Sequence, residues 1–101
     1  MEVIKIPIHK GKFFKVLGQT DKSQVAVMTL HPGQDSGPED IHPGDQVIYV
    51  IEGEAEIELD NETVPLKAGE VLTVPTKAKH HIYNRGQQDL FLLNIYTPPA
   101  Y

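Results

Sequence analysis

The 101-residue sequence contains no cysteine. Disulfides, thiolate metal sites and a cysteine nucleophile are therefore excluded, and any metal must sit on nitrogen and oxygen donors. Serine occurs only as Ser23 and Ser36. Neither stands in a nucleophile-elbow context, which argues against serine-triad hydrolysis. Basic charge is also scarce: nine Lys and Arg face fourteen Asp and Glu, for a net charge of −5. A nucleic-acid surface needs a basic patch, and the small groups Lys10, Lys12, Lys15 and Lys77, Lys79 read as solvated turns. No apolar run approaches the roughly 20 residues of a membrane span. The opening residues, Met1 to Lys5, alternate apolar and charged and lack the apolar stretch of a secretory signal. The expectation is therefore a cytoplasmic protein with no nucleic-acid or membrane partner. Phosphate loops, nucleotide fingerprints and zinc-protease pairs are absent as well.

Helical periodicity is the remaining absence. Eight Gly and eight Pro punctuate the chain, and no window holds apolar residues at spacings of three and four. Short β-rich runs recur instead, predicting strands at 3–8, 13–17, 24–30, 46–51, 54–59, 63–66, 71–74, 80–83 and 90–96. Turn residues separate them, including Glu52-Gly53, Asp60-Asn61 and Lys67–Gly69. Many short strands with regular turns indicate an all-β sandwich or barrel. The length suits one domain over residues 1–101.

Alternation assigns the faces. In Glu54-Ala55-Glu56-Ile57-Glu58-Leu59 the apolar residues face a core and the glutamates face water. The run 46–51 is apolar on both faces beyond Gln46, as for a strand covered on both sides. In a small two-layer domain a second subunit can supply that cover, so a homodimer is expected. Residues 97–101, with Pro98 and Pro99, cannot pair as a central strand. They are expected to pack on the surface or cross an interface.

Five histidines occur, at 9, 31, 42, 80 and 81. Asp40 and His42 lie two apart, so on an extended chain they point the same way, and Gln46 shares their parity. An acid, an imidazole and an amide can thus converge at one end of the interior. A strand that carries His80 inward also carries Ile82 inward and turns His81 and Tyr83 outward. His31 and His9 read as loop residues, Asp45 as solvent-facing, and Glu39 as an alternative carboxylate to Asp40. Asn84 is placed to close a turn with Gly86 through a side-chain to backbone bond. Asn94 needs a partner inside its strand, which makes it a candidate contact for the site. Met28, Ile48, Val50, Ile82, Phe91 or Leu92, and Tyr96 are candidate pocket residues. A simple buried polar pair of His42 and Gln46 fits the same spacing.

Two segments resemble the paired motifs of the cupin superfamily. The second motif runs glycine, five residues, proline, four residues, histidine, three residues, asparagine, and Gly69, Pro75, His80 and Asn84 fall in register. Lys77 stands where the family usually has glycine. The first motif normally carries two histidines, a glutamate and a glycine, and the same spacing here holds Asp40, His42, Gln46 and Gly53. The resemblance implies a double-stranded β-helix, or jelly-roll barrel, with a metal cluster and small-ligand site at its mouth. The implied ligand set is Asp40, His42, Gln46 and His80. Two histidines with one carboxylate suit Fe(II), and Mn, Ni, Co or Zn can take the same donors. The function implied is a metal-dependent enzyme of oxygenase or isomerase type acting on a small organic molecule. The alternative is a non-catalytic small-molecule or sugar-binding module, since fold alone does not decide. A transcription-factor sensor would need a DNA-binding domain, for which 101 residues leave no room.

Overall fold

The computed structural model describes residues 2–38 and 41–101. Eight strands are present among them: β1 (Phe14–Gln19), β2 (Gln24–Leu30), β3 (Asp45–Glu52), β4 (Glu54–Leu59), β5 (Glu62–Lys67), β6 (Val71–Val74), β7 (His80–Tyr83) and β8 (Leu90–Thr97). They form two antiparallel sheets, a five-stranded one ordered β1-β2-β8-β3-β6 and a three-stranded one ordered β5-β4-β7. This is the expected all-β, double-stranded β-helix arrangement. The strands at 24–30, 54–59, 71–74 and 80–83 have the expected bounds, and the others run one to two residues longer.

The strand expected at 3–8 does not form. Ile6–His9 is a short 3-10 turn with Pro7 in its first turn. Proline lacks the N–H that a ladder needs, while its fixed φ suits the start of a helical turn. The following residues lie against β2, where the Gly11 N–H donates to Thr29 Oγ1.

The alternating faces build the core. Ala55 and Ile57 of β4 are buried against Ile48 and Val50 of β3, Leu92 of β8 and Ile82 of β7. The glutamates between them stay at least partly exposed. Asp60 and Asn61 both have positive φ (45° and 71°), as the mirror-image turn of a tight hairpin requires. Gly53 is fixed by contact as well as by its φ of 87°: a Cβ there would lie 2.4 Å from the Asp89 carbonyl oxygen.

Register then decides what reaches the mouth. Across the inner face of the large sheet one row runs Gln24, Tyr96, Gln46, Val74. The next row inward holds Ala26, Asn94, Ile48 and Leu72. Polar groups therefore collect at one end of the barrel, and the aliphatic core fills the middle.

Candidate functional site at the barrel mouth

Three of the four expected ligand positions come together. His42 lies in the loop before β3, Gln46 in the second position of β3, and His80 opens β7 on the opposite sheet. All three are buried, at 9%, 2% and 4% exposure. The His42 and His80 rings lie 5.3 Å apart between centroids. Asp40, and with it the alternative Glu39, lies outside the described residues. Among the described residues no group of three His, Asp or Glu side chains converges to hold a metal.

Local structure explains the placement. The loop carrying His42 is tied to the turn before β7 by the Lys77 N–H, which donates to the His42 carbonyl at 3.1 Å. Lys77 has φ 67°, the left-handed conformation that glycine adopts without cost, so the lysine at this motif position is strained. Asp45 is exposed as expected but is not idle. Its Oδ1 accepts from the N–H and hydroxyl of Thr76, which fixes the same turn from the other side.

Gln46 Nε2 donates to Asn94 Oδ1 at 3.0 Å. Asn94 is fully buried, so the polar residue within β8 has found its partner. This pairing leaves Gln46 Oε1 and Asn94 Nδ2 buried with no hydrogen-bond partner among the described residues. A buried polar atom left unpaired costs about 1–3 kcal/mol, so a carbonyl acceptor on a residue that shares a cavity with His80 is a place for a cation or a water. Two imidazoles bound to one cation at about 2.1 Å have centroids roughly 5 Å apart, and the observed separation fits. The donor set thus suits a divalent metal with nitrogen and oxygen preference.

A small cavity of about 30 Å³ lies at this point, lined by Met28, Gln46, His80, Ile82, Asn94, Tyr96 and Tyr101 together with Ser36 and Pro38. Met28, Ile82 and Tyr96 were expected there. Ile48, Val50 and Leu92 instead belong to the core. Tyr101 and Gln24 were missed. The signal available for Gln24 was parity, since it shares the inward face with Ala26 and Met28. Tyr101 left no signal, because only the path of residues 97–101 brings it to the mouth.

The remaining polar residues serve elsewhere. Asn84 Oδ1 accepts from the Gly86 N–H as expected, and its Nδ2 donates to the Leu30 and Gln88 carbonyls. His31 is exposed and paired with Asp89. His81 points away from the interior, where its Nε2 meets Asp35 Oδ1 at 3.1 Å and its Nδ1 meets the Tyr83 hydroxyl at 3.2 Å. The hydrogen bond from His81, followed by that from the Gly37 N–H, holds the Asp35 carboxyl below its ordinary value. A wider, open depression of about 500 Å³ lies at the other end of β3, between Gly53, Lys67, Asn84 and Gln88. The buried amide of Asn84 is already engaged by the backbone there, so this depression offers no comparable donor cluster. Among the described residues no helix is long and apolar enough to cross a membrane.

Comparison with known proteins agrees with this fold. The chain is 33% identical over 72 residues to polyketide synthase CurC of Streptomyces cyaneus, covering 70% of this chain and 46% of that protein. The chain spans about half the length of the curated relatives it matches. Among solved structures, a Bacillus halodurans protein superposes with a TM-score of 0.89 at 28% identity, covering 99% of this chain and 83% of the other. A Klebsiella pneumoniae protein with a double-stranded β-helix domain superposes at 0.87 with 27% identity, covering 100% and 94%. The cupin domain profile matches residues 26–96, which include His42, Gln46, His80 and both partners of the buried amide pair. The chain belongs to the cupin family.

Proposed function

We propose that this cupin holds a divalent metal through His42, His80 and Gln46, with Asp40 as the carboxylate, and acts as a metal-dependent enzyme on a small organic molecule. The observation that carries the reading is the buried Gln46 Oε1, which has no hydrogen-bond partner among the described residues, on a residue that shares a cavity with His80, whose ring centroid lies 5.3 Å from that of His42. Iron, manganese, nickel, cobalt and zinc all suit these donors. When bound, such a cation supplies Lewis-acid polarisation of a ligand oxygen or an open position for oxygen. The chain's own residues do the rest. Asn94 orients the Gln46 amide, Tyr96 and Met28 exclude water, and the Lys77 turn positions His42. The polyketide synthase name of the Streptomyces cyaneus relative supports a small organic molecule as the ligand class.

A second reading is a non-catalytic small-molecule or sugar-binding module. It is favoured by the small cavity and by the absence, among the described residues, of a third acidic or imidazole side chain. Metal content of untagged protein, purified without a chelating column, separates the two. The enzyme reading expects stoichiometric metal in the wild type and none in the His42→Ala/His80→Ala protein, with the fold retained by circular dichroism. Equal metal in both removes the proposed site, and no metal after reconstitution favours the binding module.

The assembly we propose is a homodimer through the outer face of the large sheet. There Tyr49 (39% exposed) pairs with Val71 (60% exposed), beside half-buried Val47, Leu93 and Ile95. Light scattering that gives the mass of one chain at working concentration rules this out.

A further inference from the structure

Residues 97–101 do not leave the barrel after β8. We propose that they form a strap, docked by Gln24, that lays Tyr101 over the His42–His80 site as a removable lid and so sets which ligands enter. The inference rests on reading that site as the place where a ligand binds, but it does not require the ligand to be a metal.

The docking is specific. Gln24 is fully buried, and its amide is used completely. Its Oε1 accepts from two successive main-chain donors, Ala100 N–H at 3.2 Å and Tyr101 N–H at 3.0 Å. Its Nε2 donates to the Tyr101 main-chain oxygen and to Gln19 Oε1, and the latter bond at 2.7 Å holds the amide in this orientation. A buried amide has two donor and two acceptor places, and three of the four go to the strap. Gln24 occupies the same row of the sheet as Tyr96 and Gln46, so the docking point and the site share one register.

A second contact fixes the start of the strap. A Cβ at Gly44 would lie 2.3 Å from the Thr97 carbonyl oxygen and 2.4 Å from Pro98 Cδ. The loop between His42 and β3 thus leaves room for the strap to cross only because residue 44 has no side chain.

With both ends placed, the Tyr101 ring meets His42 edge-on at 5.5 Å and Tyr96 at 5.3 Å, and packs on Phe14 at 4.9 Å. The residue remains 58% exposed, as expected of a lid with one wet face. The cavity beneath holds about 30 Å³. A water needs roughly 10–15 Å³ by this measure. The closed site thus takes an ion or about two to three waters, and an organic ligand enters only when Tyr101 swings away. Among the described residues, the hydrogen bonds of residues 98–101 run from their backbone to Gln24, so this part of the strap can undock while Thr97 stays paired in β8.

The test is histidine labelling with diethyl pyrocarbonate on metal-free full-length chain, read residue by residue by mass spectrometry. Tyr101→Ala removes the lid, and Gln24→Ala removes its dock. His42 and His80 are expected to react about tenfold faster or more in both variants, the effect of losing roughly one net hydrogen bond or its equivalent. Exposed His31 serves as the internal control and keeps its rate. Tyr101→Ala keeps every hydrogen bond of the sheets, so it remains informative if Gln24→Ala fails to fold. Unchanged labelling of His42 and His80 in Tyr101→Ala overturns the proposal. Faster labelling in protein that binds no metal leaves the lid standing and removes only the metal reading.

Discussion

Replacing Gln46 by glutamate tests the mouth of the barrel from both the folding and the binding side. Gln46 is 2% exposed, its Nε2 donates to Asn94, and its Oε1 has no partner among the described residues. In metal-free protein Gln46→Glu buries a carboxylate. Burial raises its pKa, at about 1.4 kcal/mol per unit. The amide of Asn94 can turn its unused Nδ2 toward the new oxygen, and a hydrogen bond to a charged group returns about 1.5–3 kcal/mol. The net destabilisation is therefore about 1–3 kcal/mol, or roughly 4–8 °C of melting temperature per kcal/mol for a domain of this size. Metal acts in the opposite direction, because a neutral donor has become an anionic one. Tenfold tighter binding adds about 1.4 kcal/mol of stability at saturating metal. The assay is a calorimetric melt of wild type and Gln46→Glu, each with and without manganese or zinc. The metal-induced rise in the variant should exceed that of the wild type by roughly 6–11 °C. A rise no larger than in wild type would show that Gln46 Oε1 does not face a bound cation.

Other substitutions probe the supports of the site. Asn84→Ala removes three hydrogen bonds, a buried one to Leu30 and part-buried ones with Gln88 and Gly86. At about 1 kcal/mol each it should cost about 3 kcal/mol in a urea titration, and a loss below a third of that contradicts the role given to Asn84. Lys77→Gly relieves the left-handed backbone at φ 67° while keeping the N–H that donates to His42. The relief of about 1 kcal/mol or more, less the entropy glycine adds to the unfolded chain, predicts a gain of about 0.5 kcal/mol. A clear loss would mean that the lysine side chain itself supports the turn. Because the Asp35 pKa is lowered on folding, its stabilising contribution is full above the ordinary value of 3.8 and disappears as pH falls through the lower folded value. The stability difference between wild type and Asp35→Asn should follow that course, and a difference unchanged at more acidic pH would contradict the His81–Asp35 bond.

The legible parts of this protein are those that depend on period and spacing. Side chains alternate along a strand whatever the strand packs against, so Ala55, Ile57, His80 and Ile82 could be turned inward, and His81 outward, from sequence. The motif spacing from Gly69 to Asn84 placed His80 and the turn closed by Asn84 in the same way, because short turns leave the chain few routes. The strand expected at 3–8 failed where alternation competed with Pro7, whose missing donor and fixed φ favour a 3-10 turn. The remainder was decided by contacts between residues far apart in the chain. Gln24 and Tyr101 are 77 positions apart, Gly44 meets Thr97 and Pro98 across the mouth, and Gln46 finds Asn94 only because β3 and β8 are neighbours in this register. Local pattern can say which face a residue occupies; which groups share that face, and that a segment with two prolines folds back to cover it, follows only when the two sheets close on one another.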